Sequence, residues 1–259
     1  MKGRALTDPS KPQLKLPANI RACLFDMDGV LTKTATVHAA AWKEMFDAYL
    51  QQDAEESGGE FVPFDIATDY VKYVDGKLRQ DGVRSFLESR EISLPEGTEQ
   101  DDETLDTIHG LGTRKNNRVQ ELIRTKGVDV YPDSITLLQV VRANGLKTAV
   151  VSASKNTPVV LRVTNLTDQF DYVMHGGIAG EEGLAGKPAP DTFIAAAKAL
   201  GEEPANCVVL EDAIVGVQAG SAGEFGYVIG VDRVDHGDEL RANGAHIVVK
   251  NLEELVADS

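Results

Sequence analysis

Hydrophobic residues in this chain fall into short unbroken runs, separated by stretches in which apolar positions recur every three or four residues. IRACLFD (20–26), LKTAVVS (146–152), FDYVMH (170–175), NCVVLE (206–211), GYVIGV (226–231) and HIVV (246–249) show no polar alternation, so each suits a strand buried on both faces. Helix-length segments lie between them: DSITLLQVVRANG, DTFIAAAKALG and AIVGVQAGSAG, the first two stopping at a Gly. Alternation of β and α elements predicts an α/β fold, a doubly wound, Rossmann-like parallel sheet with right-handed crossovers.

The rhythm fails between residues 33 and 127, where no strand-like run occurs and HAAAWKEMFDAYL, VRSFLESREI and NRVQELIRTKG carry amphipathic spacing. This predicts an inserted helical cap at 33–127, a discontinuous core at 19–32 and 128–259, and a flexible N-terminal tail at 1–18. Two acidic, Gly-bearing stretches, 51–60 and 94–106, read as exposed cap loops.

Composition narrows the function. With 259 residues and 42% hydrophobic content, the chain has enough material for a large core. Its 41 acidic and 26 basic side chains give a formal charge of -15, which repels nucleic acid and anionic membranes. An anionic small substrate needs a place where that charge is locally reversed. Cys23 and Cys207 sit in apolar runs and read as buried thiols of a reducing compartment. No apolar leader opens the chain and no stretch approaches the ~18 apolar residues of a membrane span, so a cytoplasmic location is expected. A monomer is the expected state, with a weak dimer as the alternative.

Ligands of open α/β sheets bind beyond the carboxyl ends of the strands, at the topological switch point. The residues ending each run are therefore site candidates: Asp26 and Asp28 after the first, Ser152 to Asn156 after the second, and Glu211 with Asp212 after the fourth. Lys187 joins them from GKPAPD, ahead of a helix. Neighbouring strands are about 4.8 Å apart. Carboxylates about 4 Å apart repel by about 4 kcal/mol at an effective dielectric of about 20, so the cluster calls for a cation. An all-oxygen donor set without a His or Cys pair favours Mg2+. With Mg2+ and Lys187 in place, a phosphate dianion can enter and Asp26 can attack phosphorus. Asp28 would protonate the leaving oxygen, while Ser152 and nearby backbone N–H groups hold the phosphoryl oxygens.

Each motif alone is ordinary: DxDG is commonly a turn or cap, SASKN a polar loop, and ED solvated surface. An EF-hand reading fails because Val37 stands where the twelfth-position Glu belongs. Their order at successive strand ends supplies the specificity.

DMDGV, VVSAS, GKPAPD and VLEDAIVGVQAG together resemble the four motifs of the haloacid dehalogenase-like superfamily, and within it the β-phosphoglucomutase group, over about residues 20–250. The resemblance implies Asp26 as nucleophile, Asp28 as general acid/base, Ser152 and Lys187 as phosphoryl binders, and a Mg2+ site made by Asp26, the Asp28 carbonyl, Glu211 and Asp212. In the cap, TKTATVHAAAWK is similar to the group's hinge segment and brings Thr34, His38 and Trp42 into view, Trp42 being expected to pack. YVDGKLRQDGVRSFL supplies Arg79 for a distal phosphate, RKN supplies Lys115 and Asn116, and SASKN supplies Ala153, Ser154, Lys155 and Asn156 on the core side. The cap loops, longer and more acidic than the group's at about 51–66 and 95–107, are expected near the substrate entrance. His109, His175, His236 and His246 receive no role.

The implied activity is Mg2+-dependent conversion of β-glucose 1-phosphate to glucose 6-phosphate, with a small phosphorylated sugar as the only partner and a sugar-phosphate phosphatase as the alternative. A non-catalytic binding protein is disfavoured, because burying these charges costs stability without structural return.

Overall fold

The computed structural model describes residues 12–257. Six parallel strands form one sheet in the order β3-β2-β1-β4-β5-β6. They are β1 (Ala22–Phe25), β2 (Lys147–Val151), β3 (Tyr172–Met174), β4 (Cys207–Glu211), β5 (Tyr227–Val231) and β6 (Ile247–Val249). All six lie inside the apolar runs read from the sequence. β1 and β4 are buried at every position because helices cover both faces. One face packs Phe25, Leu137, Leu138, Val160 and Leu210; the other packs Leu24, Phe193, Val209 and Val217. The chain winds outward from β1 through β2 to β3, then returns to build β4, β5 and β6 on the opposite side. The switch point therefore falls between β1 and β4.

Between β1 and β2 the chain forms the helical cap and then returns to the core. Helices α1 (Ala35–Ser57), α2 (Arg79–Ser89) and α3 (Ile108–Lys126) enclose a separate aromatic core of Trp42, Phe46, Phe64 and Phe86. A stretch of π-helix, Ile66–Val74, precedes α2, its start capped by Asp65 accepting from the N–H groups of Ala67 and Thr68. Helix α4 (Pro132–Ala143) follows, its first turn held to the loop after β1 by Ser134 donating to the Val30 carbonyl at 2.6 Å.

Three sequence expectations change here. Residues 51–57 continue α1 instead of forming a loop: Gln51 and Gln52 hydrogen-bond Glu55 and Glu56 one turn on, and the helix stops only at Gly58, whose φ is 70°. Polar composition there marked a solvated helix face. α3 begins nine residues earlier than NRVQELIRTKG suggested, because the Thr107 side chain caps it by accepting from the Gly110 N–H. The tail expected at 1–18 is pinned in its described part: Leu14 pairs with Val256, the Lys15 N–H donates to Leu255, and Leu14 and Leu16 pack on the core. Residues 1–11 of that tail lie outside the described residues. Both cysteines are free and buried, as expected, with the Cys207 thiol pushed up to about 12 by burial. Among the described residues, no helix is long and apolar enough to cross a membrane.

Candidate active site

Strand register assembles the acidic centre. Phe25 lies opposite Leu210, so Asp26 leaves β1 beside Glu211 at the end of β4. The Asp26 N–H donates to the Leu210 carbonyl at 2.9 Å, which carries the pairing one residue past the strand. Carboxylate oxygens of Asp26, Glu211 and Asp212 all lie within 4.8 Å of one another. Lys187 enters from the loop before helix α7 (Asp191–Ala199; α5 is Thr157–Val163 and α6 Gly176–Glu181). Its ammonium donates to Asp26 and Glu211, both at 2.5 Å, and to the Val151 carbonyl at 3.2 Å. Burial opposes that charge, but Asp26 and Glu211 outweigh it and hold the Lys187 pKa above its ordinary value.

One lysine does not balance this cluster. Burial first, then Asp75, Glu211, Asp26 and Asp28, push the Asp212 carboxyl well above the carboxylate range, and none of these effects opposes the shift. Asp26 is also raised, by burial more than by its acidic neighbours, despite Lys187. An enclosed set of hard oxygen donors short of positive charge fits a divalent cation. Two glycines permit the crowding: a Cβ at Gly29, where φ is 89°, would stand 1.7 Å from an Asp212 oxygen, and one at Gly216 would overlap Glu211.

Asp28 lies between β1 and α1, where the chain passes from the sheet into the cap. The Thr34 hydroxyl donates to its carboxylate and lies 2.7 Å from the Thr32 hydroxyl, which donates to the Met27 carbonyl. Thr34 is fully enclosed and reaches the site through Asp28, not through the cavity wall. His38 Nε2 is 3.8 Å from the Asp28 carboxylate, while its Nδ1 is 3.0 Å from the Lys115 ammonium. Burial, then Lys115, lower the His38 pKa to about 4, so the ring is neutral; Nδ1 accepts from Lys115, and the ring proton sits on Nε2.

A cavity of about 280 Å³ runs from Asp26, Asp28 and Asp212 to the cap residues Arg79 and Lys115. Arg79 opens α2 and donates to the Gly112 carbonyl at 3.2 Å, and Lys115 on α3 lies 4.6 Å from the Trp42 ring centre. Trp42 therefore packs, as expected, and also supports a cation. Burial, then Arg79, lower the Lys115 pKa to about 7. Among the described residues neither cation has a carboxylate partner within ion-pair distance. Asn116 accepts from Asn156 at 2.9 Å, linking cap to core. Ala153, Ser154 and Asn156 line the floor, and Ser152 lies beneath, its hydroxyl accepting from the Ser154 N–H. Lys155 is at the rim, paired with Glu99 at 3.1 Å.

Several cavity residues were not singled out from the sequence. Tyr70, Asp75, Lys77 and His109 all face it. Burial first, then Glu211, raise the Asp75 pKa to about 7, against a Tyr70 hydrogen bond that lowers it. No spacing signals these side chains, because an irregular turn presents Asp75. The acidic loop at 94–106 does reach the entrance through Glu99, whereas the 51–66 stretch contributes nothing to the lining. His236, given no role, lies 2.9 Å from the Asp212 carbonyl, and Arg233 donates to the Gly29 carbonyl while gripping Asp133. These contacts hold the loops after β1 and β4 that carry the acidic cluster.

Residues 20–223 match the family model of haloacid dehalogenase-like hydrolases. The chain is 48% identical over 256 residues to a β-phosphoglucomutase of Mycobacterium bovis, covering 96% of this chain and 98% of that protein. A β-phosphoglucomutase of Bacillus subtilis is 30% identical, with 92% and 93% covered. Among solved structures, a β-phosphoglucomutase from Clostridium difficile superposes with a TM-score of 0.70 at 28% identity, over 91% of this chain and 93% of that one.

Proposed function

The chain belongs to the haloacid dehalogenase-like hydrolase family, and from that premise we propose that it is a Mg2+-dependent phosphomutase converting β-glucose 1-phosphate to glucose 6-phosphate through an aspartyl-phosphate on Asp26. One observation carries the reading: one cavity has a carboxylate-rich core end and a cap end where Arg79 and Lys115 lie together without an acidic partner among the described residues. A sugar monophosphate on the phosphorylated enzyme, and the sugar bisphosphate formed from it, each satisfy both ends. The names of the relatives support the choice of sugar.

Asp26, the Asp28 carbonyl, Glu211 and Asp212 would hold Mg2+, which when bound neutralises the carboxylates and draws charge from the transferring phosphoryl group. Lys187 orients the Asp26 carboxylate and adds a second positive charge beside it. In the first half-reaction the sugar 6-hydroxyl attacks phosphorus on phosphorylated Asp26, the P–O bond to Asp26 breaks, and Asp28 takes the hydroxyl proton. The bisphosphate then turns over. Its 1-phosphate transfers to Asp26, and Asp28 returns the proton to the oxygen leaving at C1. Thr34 fixes the Asp28 carboxyl for both roles. Arg79 and Lys115 hold the phosphate that is not reacting, with Arg79 suited by its planar fork. Asn116, Ser154, Lys155 and Asn156 complete the distal side.

Cap contacts favour transfer to a sugar over transfer to water. Leu78 packs against Gly186, Gly76 against Val215, and Glu99 pairs with Lys155 across the entrance. Phosphorus NMR of β-glucose 1-phosphate with Mg2+ and a catalytic amount of the 1,6-bisphosphate should show glucose 6-phosphate with little inorganic phosphate. Inorganic phosphate as the sole product would replace the mutase with a sugar-phosphate phosphatase using the same Asp26.

A further inference from the structure

The acidic cluster is divided between two segments. Asp26 follows β1, Glu211 and Asp212 end β4, and their carboxylate oxygens lie within 4.8 Å of one another, close enough to push the segments apart. Among the described residues, backbone pairing between the two ends with the Asp26 N–H on the Leu210 carbonyl. Lys187 bridges Asp26 to Glu211, and Asp212 lies beyond that bridge. A third segment, residues 232–236 after β5, touches both.

Arg233 locks this third segment to the loop after β1. All five N–H groups of a guanidinium can donate, and here each has an acceptor. Nε donates to the Gly29 carbonyl at 3.3 Å, Nη1 to Asp133 at 2.9 Å and to the Lys250 carbonyl at 3.1 Å, and Nη2 to Asp133 at 3.2 Å and to the Ser134 hydroxyl at 3.3 Å. The guanidinium carbon lies 3.9 Å from the centre of the Tyr131 ring, which fixes the remaining face. Ser134 in turn donates to the Val30 carbonyl, so both residues that follow Asp28 are gripped. The segment is also closed on itself: buried Asp232 donates its N–H to the Val249 carbonyl at 2.8 Å, and its carboxylate accepts from the His236 N–H at 2.9 Å. From this frame the His236 ring reaches the Asp212 carbonyl at 2.9 Å; a carbonyl only accepts, so Nε2 carries the proton. Neither Arg233 nor His236 lines the active-site cavity, so neither touches the sugar phosphate.

Resting on the divalent-cation reading above, we propose that His236 is a positioning residue for the metal: its ring, on a segment that Arg233 locks to the loop after β1, holds the Asp212 main chain and so sets the separation of the Asp26 and Asp212 carboxylates. Mg2+ requires a near-ideal octahedron with oxygens at about 2.0–2.1 Å, whereas Ca2+ accepts variable geometry at about 2.3–2.6 Å. A brace that fixes the spacing therefore matters to Mg2+ and much less to Ca2+.

The test is isothermal titration calorimetry of the full chain with Mg2+ alone and with Ca2+ alone, in wild type, His236→Ala and His236→Gln. Glutamine reaches about as far as the histidine Nε2 and keeps a donor there. His236→Ala should raise the Mg2+ Kd by roughly 10- to 100-fold, the effect of losing a group that orients a metal ligand. Its Ca2+ Kd should rise by less than about threefold, and His236→Gln should bring the Mg2+ Kd back to within about threefold of wild type. At saturating Mg2+, KM for β-glucose 1-phosphate should stay within about threefold in all three proteins, because the phosphate contacts are untouched. An unchanged Mg2+ Kd in His236→Ala overturns the proposal. So do equal rises for both ions, or a glutamine variant as weak as the alanine one, either of which marks general loosening in place of a lost donor. If urea unfolding in EDTA shows that His236→Ala does not fold, His236→Leu, which keeps most of the volume and cannot donate, takes its place with the same expectations. Wild type that binds neither ion overturns the divalent-cation reading and this proposal with it, whereas Mg2+ binding that is equal in wild type and variants overturns this proposal alone.

Discussion

Replacing Asp212 by Asn should make the metal-free protein more stable while destroying its metal response. Oxygens of Asp26, Glu211 and Asp212 lie within 4.8 Å of one another, so each ionised pair repels by at least about 3.5 kcal/mol at an effective dielectric of about 20. Asp212 faces two such neighbours, and the cation of the cluster is engaged elsewhere: the Lys187 ammonium contacts Asp26 and Glu211. A carboxyl can escape by binding a proton, which at pH 7.5 limits the cost to about 5 kcal/mol. Screening by Lys187 lowers it further. Asp212→Asn keeps the volume beside Gly29 and removes the charge, so we expect a gain of about 2–4 kcal/mol, or roughly 5–15 °C in Tm for a chain of this size. Urea unfolding at pH 7.5 in EDTA measures it directly. Added Mg2+ should then stabilise wild type far more than the variant. If Asp212→Asn is no more stable than wild type in EDTA, the buried charge imbalance is not real and the argument for a cation at this site fails.

Asp26→Asn should retain the fold and lose turnover by a factor on the order of 10⁴ or more, checked by steady-state kinetics alongside far-UV circular dichroism. Arg79→Ala should lower kcat/KM for β-glucose 1-phosphate by about 10²–10³, because a buried charge-assisted phosphate contact is lost; unchanged kinetics would place the distal site elsewhere. Lys115 gives a pH test. Its pKa is lowered to about 7, by burial and then Arg79, from an ordinary 10.5. The folded value lies below the unfolded one, so the penalty for charging it is complete below pH 7 and disappears above 10.5. Lys115→Met should therefore gain stability over wild type more at pH 6 than at pH 10, with a pH-dependent part on the order of 4 kcal/mol in urea unfolding. A difference of opposite sign would refute it.

Strand positions were readable because a parallel sheet covered on both faces requires unbroken apolar runs, and such runs stand out in any chain. Helix ends were less readable. Residues 51–57 looked like a loop because a solvated helix face and a polar loop share a composition, and only the ladder of bonds to Ser57 separates them. In the site, Asp26, Asp28, Glu211 and Asp212 were read from their places at strand ends, since topology makes those ends converge, and Lys187 from the GKPAPD motif ahead of a helix. Asp75 escaped because it follows a π-helix, whose winding leaves no periodic signal. Lys155, expected on the distal side, lines the cavity and also pairs with Glu99, a partner 56 residues away that no local pattern connects to it.

The amino-acid order by itself determined the α/β class, the insertion of helices after the first strand, and the acidic, oxygen-only chemistry at the strand ends, because each follows from short-range periodicity or residue type. Tertiary structure alone decided which charges are compensated. Lys187 is shared by Asp26 and Glu211, and among the described residues Asp212 has no cation partner and Arg79 and Lys115 meet without an acid. Those balances depend on distances of a few ångströms between segments far apart in the chain, and electrostatic energy inside a protein is set by such distances and by burial, neither of which is written along the sequence.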